Sequence, residues 1–148
     1  MATPADADII LKLYDLRRED VMRKARNYVG MEFWPATVEE FKEIHKPTNP
    51  NNVYWRQVIS FWEGMAQLPL HGAVDTDLYL ATQGECLFIR AKYAEVSEAA
   101  TGNPFMPNTL KLIEGSEKAR AQYEGMVKSL ATRRAQMTAT RTEAEAAK

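Results

Sequence analysis

Between Asn52 and Leu68 the chain reads NVYWRQVISFWEGMAQL, the stretch richest in large apolar and aromatic side chains at helical spacing. Trp55, Val58, Ile59, Trp62, Met65 and Ala66 recur in steps of three and four, and Tyr54, Phe61 and Leu68 form a second stripe beside them. A helix with two apolar stripes must be covered on most of its circumference, so the rest of the chain has to supply the cover. Arg56, Ser60, Glu63 and Gln67 make the remaining polar seam. That seam is expected either to face water or to hold an Arg56 to Glu63 contact two turns apart. No period-two run long enough for a strand is present, and the pattern predicts an all-α fold: a compact bundle of about five to seven helices around the central helix at 52–68.

The cover can be read from capping and breaking residues. Thr3, Pro4 and Asp6 supply an N-cap, a first-turn proline and a carboxylate for a first helix that should run to about Val29, ahead of Gly30. Asp15 with Arg18, Glu19 with Arg23 and Asp20 with Lys24 are spaced to support it. Its stripe of Ile9, Leu13 and Leu16 stops at Asp20 and resumes, displaced, at Val21, Ala25 and Tyr28, so the helix should bend or change partner. Thr37 with Glu40 forms a capping box for a short helix near Val38 to His45, and KPTNPNN (46–52) reads as a loop. Pro69 should end or kink the central helix. Asp75 can cap a short helix through Leu78 and Leu80, and a longer one is expected from Glu85 to about Thr101, stopped by Gly102. Asn108 and Ser116 can cap two more. The last helix, from about residue 117, carries Tyr123, Val127, Leu130 and Met137 at helical steps, and beyond it 138–148 lack a large apolar residue. One helical domain over 1–137 with a flexible tail at 138–148 follows.

The segment FWEGMAQLPLHGAVDTDLYLATQGECLFIRAKY (61–93) resembles the middle of a broad group of bacterial all-helical domains of unknown function. In that group an aromatic-aromatic-Glu helix leads to a Gly-apolar-Asp turn and another amphipathic helix. The resemblance implies a helical fold and a bacterial source, and brings no functional residue with it.

Exclusions say more about chemistry than motifs do. With a formal net charge of −1 over 148 residues, no global field draws the chain to nucleic acid. The single cysteine, Cys86, cannot form an internal disulfide, and a cytoplasmic location is expected. Asp6 and Asp8 precede the first apolar residues, unlike a signal peptide, and no membrane-spanning run is present. Lys42 and Leu68 stand three residues before His45 and His71, so the Glu-x-x-His pair of di-iron bundles is absent. Neither zinc-ligand spacing, a phosphate loop nor a nucleophile elbow occurs. No cofactor and no metal are expected, and the balance leans away from an enzyme. Cys86 with His71 as thiolate and base is less economical than Cys86 as a helix-packing residue and His71 as a turn residue.

Three functional readings remain. The first is a non-catalytic protein-interaction or accessory module that meets itself or another protein through Tyr123, Val127 and Leu130. A second is a small-molecule-binding helical protein, with Glu63, Arg56, Trp55 and Trp62 around a pocket and Trp34 available to line it. A buried or half-buried structural pair with Arg56 is favoured for Glu63 over that ligand-binding role. The third, less favoured, is nucleic-acid binding through basic terminal helices. These carry Lys12, Arg17, Arg18, Arg23, Lys24 and Arg26 at one end, and Lys118, Arg120, Lys128, Arg133 and Arg134 at the other. Acids are interleaved and no recognisable nucleic-acid motif is present, so a solvated charged face is the simpler account of both helices.

Overall fold

The computed structural model describes residues 1–148 and contains helices and connecting turns, without strands. α1 spans Pro4–Arg18, and its start is fixed by a capping box: Thr3 Oγ1 accepts from the Asp6 N–H (3.3 Å), while the Asp6 carboxylate accepts from the Thr3 N–H (2.6 Å). The displaced stripe marks a real break. Glu19 leaves the helical conformation, and its carboxylate accepts from the N–H groups of Val21 (3.1 Å) and Met22 (2.9 Å), starting α2 (Asp20–Asn27) afresh. α2 then widens into a π turn, Tyr28–Glu32. None of the three expected ion pairs forms; within α2, Asp20 pairs with Arg23 instead. Arg17 and Arg26 instead reach across the fold to the Glu85 carboxylate, which accepts from Arg26 Nε at 2.9 and 3.1 Å and from Arg17 at 3.3 Å.

α3 (Val38–Glu43) begins at the Thr37 cap, whose hydroxyl accepts from the Glu40 N–H at 3.1 Å. The central helix, α4, spans Asn52–Met65. A turn at Ala66 separates it from α5 (Gln67–Leu70), so Pro69 falls within the first turn of a new helix, where its missing N–H costs nothing. α6 (Thr76–Thr82) is capped by Asp75, α7 spans Glu85–Thr101, and α8 spans Pro107–Glu114. α9 (Glu117–Ala146) starts at Ser116 and packs on α7 and α8. These nine segments are finer than the five to seven expected, because α1/α2 and α4/α5 are each divided by one non-helical residue or turn.

The core forms where α4 meets α2 and α8 and where its Trp55 reaches Tyr93 of α7. Trp55 is enclosed by aromatic rings: Tyr93 and Phe41 meet it edge-on at 4.8 and 5.4 Å between centroids, and Phe105 stacks at 5.9 Å. α7 shares the centre, burying Cys86, Leu87, Ile89, Arg90, Lys92, Tyr93, Ala94 and Ser97 along its length. Its apolar stripe was the less conspicuous because polar side chains buried within the fold interrupt it.

Where a flexible tail is expected at 138–148, α9 instead continues to Ala146. Alanine, glutamate and arginine favour helix without tertiary support. Thr138, Thr140 and Thr142 also return their hydroxyl protons to the carbonyls of Arg134, Gln136 and Thr138, each at 3.0 Å. Every side chain from Thr138 onward is exposed.

Replacing Trp55 by alanine should cost about 3–5 kcal/mol in urea unfolding, as expected for a large buried aromatic, whereas Leu11→Ala at an exposed position of α1 should change stability by less than about 0.5 kcal/mol.

Candidate functional site

Glu63, the leading sequence candidate, is half-buried and fully engaged. One carboxylate oxygen accepts from the N–H and the hydroxyl of Thr109, and the other from the Asn108 N–H, all at 2.9 Å. These are the first donors of α8. Its N-cap residue, Met106, sits in the left-handed region at φ 51° and offers no side-chain acceptor, so Glu63 provides the cap from another helix. The Arg56 to Glu63 contact does not form. Arg56 is exposed, stands about 10 Å further along the helix axis, and finds the carboxylate already occupied. Ser60 is exposed as well, and Gln67 is half-buried.

Trp55, Arg56 and Glu63 do line a shallow groove of about 590 Å3 along α4, together with His45 and Ile59. Trp62 lies elsewhere: it is wholly buried, with the Arg17 guanidinium 5.3 Å from its ring centre. The proposed interaction face is likewise divided. Tyr123 is half-buried against the core and Leu130 is 5% exposed, while Val127 is 40% exposed. Cys86 is buried, which pushes its thiol up to about 12, and a thiol so protonated is not a nucleophile near neutrality. His71 is exposed and pairs with Gln67 at 3.0 Å. No group of three or more His, Cys, Asp or Glu is arranged to hold a metal ion.

The site that spacing did not reveal lies where the π turn, the segment after it and α7 meet α9. A π turn leaves backbone carbonyls out of the regular helical ladder, and buried carbonyls need partners. Lys92 of α7 supplies them. Its ammonium, on a side chain only 1% exposed, donates to the carbonyls of Val29 (2.9 Å) and Gly30 (3.0 Å). The Tyr93 hydroxyl meets the carbonyls of Val29 and Phe33. Trp34, immediately beyond, is oriented by its own Nε1–H, which donates to the Met31 carbonyl at 2.8 Å. Lys92 Nζ lies 3.8 Å from the centre of that indole, and the Arg133 guanidinium 4.9 Å. Arg134 reaches down from α9 to donate to the Lys92 carbonyl.

The electrostatics of this junction are one-sided. Lys92, Arg133, Arg134 and Arg141 gather around Trp34 and its neighbours, and none makes an ion pair with a carboxylate. Desolvation lowers the Lys92 ammonium from its ordinary 10.5 to about 7, with Arg134 and then Arg133 adding repulsion. Burial also raises the Tyr93 hydroxyl well above the usual phenol range, so Tyr93 stays a neutral donor. From Gly125 to Thr142 the chain carries Lys128, Arg133, Arg134 and Arg141 and no acid at all. Sequence reasoning noted Arg133 and Arg134 as part of a basic run and Trp34 as a possible pocket wall. It missed Lys92, which a period-3.6 reading takes for a solvent-facing interruption of α7.

Comparison with known families places the geometry in context. A family described as a domain of unknown function (DUF4760) matches residues 2–116, so the match ends one residue before α9 begins. No curated protein and no solved structure matches the chain.

Two outcomes follow from these contacts. Glu63→Ala should destabilise the fold by about 2 kcal/mol in chemical unfolding, since three donors at the start of α8 lose their acceptor, and Glu63→Gln should cost less because one carbonyl oxygen remains. Lys92 binds its proton up to pH near 10.5 when unfolded but releases it near 7 when folded. The unfolded chain therefore holds the extra proton between these values, and stability should rise with pH from about 7 to about 10. In Lys92→Met that rise in the thermal midpoint should flatten; an unchanged slope would assign it to another group.

Proposed function

The chain belongs to the DUF4760 family of domains of unknown function, and from that premise we propose that it is a non-catalytic interaction module which holds an acidic segment of a protein partner against α9. The observation that carries this reading is the unpaired cationic junction: Arg133, Arg134 and Arg141 gather beside Trp34 and its neighbours on the one long helix that lies outside the family match. Opposite charge on a partner would supply what no carboxylate of this chain supplies, and would steer its approach along an exposed helix. The exposed Val127 adds a small apolar contact on the same helix, whereas Leu130 is buried and Ala119 and Tyr123 hold α9 to the core. The same reading sets the module in a reducing bacterial cytoplasm, which suits the free buried thiol of Cys86 and the resemblance of residues 61–93.

No helix is long and apolar enough to cross a membrane. The groove along α4 is a second place for a small ligand, but its one carboxylate is committed to α8, which favours α9 as the site of recognition.

The test is a titration of the full chain against a fluorescent glutamate-rich peptide at low and at physiological salt. Binding should weaken with salt, and the double variant Arg133→Glu, Arg141→Glu should lose roughly tenfold or more in affinity with unchanged circular dichroism. Affinity indifferent to both salt and these substitutions would overturn the proposal. A single-stranded oligonucleotide bound more tightly than the peptide would replace the acidic protein with nucleic acid.

A further inference from the structure

Beside Trp34 a pocket of about 180 Å3 opens between the segment that follows the π turn and one face of α9. Trp34 and Pro35 form one wall, and Arg134, Met137, Thr138 and Arg141 the other. The four α9 residues fall at three- and four-residue steps, so Arg134 and Arg141 share one helix face and both line the pocket. No carboxylate lines the pocket. Arg134 uses one terminal nitrogen on the Lys92 carbonyl, leaving its Nε and other terminal nitrogen free. Arg141 makes no ion pair. Thr138 turns its hydroxyl proton back to the Arg134 carbonyl at 3.0 Å and so does not compete as a donor. The Trp34 N–H is spent on Met31, and the Ala36 N–H on the Glu40 carboxylate at 2.8 Å. What the pocket offers is guanidinium forks beside an aromatic and a thioether wall.

The complement of two forks is an acceptor with more than one charge. A side-chain carboxylate brings one charge and two oxygens, whereas a phosphomonoester brings close to two charges and three acceptor oxygens. Arginine pairs with such a group through two parallel N–H bonds, which a lysine cannot reproduce. The Arg133 guanidinium against the same indole adds to the positive field without entering the pocket wall. We infer that this pocket receives the phosphoryl group of a phosphorylated serine or threonine carried by the acidic segment of the partner. The inference rests on the reading of α9 as an acidic-partner arm and narrows it: general acidity brings the segment to α9, and phosphorylation fixes its register there.

The experiment uses the full chain and four labelled peptides of one acidic sequence, carrying at a central position phosphoserine, serine, glutamate, or two adjacent glutamates to match the charge. Fluorescence anisotropy at physiological salt should rank phosphoserine tightest, by roughly tenfold over serine and clearly above the charge-matched double glutamate. Arg141→Gln, at an exposed helical position that glutamine tolerates, should bring the phosphoserine peptide's affinity down to that of the serine peptide measured on the same variant, and Arg141→Lys should restore the preference only in part. Free phosphoserine should compete with the phosphopeptide. Equal binding of the phosphoserine and double-glutamate peptides would overturn the phosphoryl site and leave the acidic-partner reading standing. A preference that survives Arg141→Gln would overturn the assignment to this pocket. Binding of none of the four would overturn both.

Discussion

The buried carbonyls of Val29 and Gly30 are the constraint around which the two halves of the molecule are joined. When α2 widens into the π turn, its backbone cannot satisfy itself, and an unpaired carbonyl in the interior costs more than a hydrogen bond returns. Lys92 and Tyr93, neighbours on α7, close that gap with hydrogen bonds from an ammonium and a hydroxyl. The solution brings a charge into the interior, which is why the Lys92 ammonium falls to about 7. It also fixes Trp34 against Lys92 and gives Arg134 a carbonyl to grip, so a backbone irregularity near residue 30 determines where α9 lies.

The same economy of borrowed partners recurs across the fold. α8 has no acceptor of its own at its start and takes Glu63 from α4. The Asp75 N–H donates to the Asp6 carboxylate at 3.0 Å, tying the first turn of α1 to the entry of α6. Arg17 and Arg26, on two helices that the break at Glu19 separates, converge on Glu85 at the start of α7. The hydrogen bonds that Arg26 donates to Glu85 hold its guanidinium even more firmly charged than usual. Such half-buried, multiply bonded pairs fix relative position more than they add stability, because desolvation offsets much of their attraction. They register short helices that could not specify their own neighbours.

Against this background α9 is the exception. Its first half is pinned by Ala119 and Tyr123, and Arg134 ties its middle to α7, yet from Thr138 onward it stands on helix propensity alone. A helix that buries so little has its side chains available for another molecule. The basic residues without acidic neighbours, placed beside an oriented indole, give that availability a chemical direction. The perturbed cysteine, by contrast, is sealed inside the fold.

Periodicity and capping are local properties, and they determined what local physics controls. The helical class, the starts at Thr3, Thr37, Asp75 and Ser116, the stop at Gly102 and the apolar weight of Trp55, Val58 and Trp62 were all legible from residues within one or two turns of each other. Tertiary structure decided whatever depends on residues distant in the chain. Glu63 reads as half of a pair with Arg56 until α8, 45 positions further on, claims both its oxygens. Lys92 reads as a surface residue until the π turn, 62 positions earlier, presents bare carbonyls. The pocket is assembled from Trp34 and Arg134, which share no local pattern. A buried polar group is placed by its partner, and a partner remote in sequence leaves no trace in hydrophobic spacing.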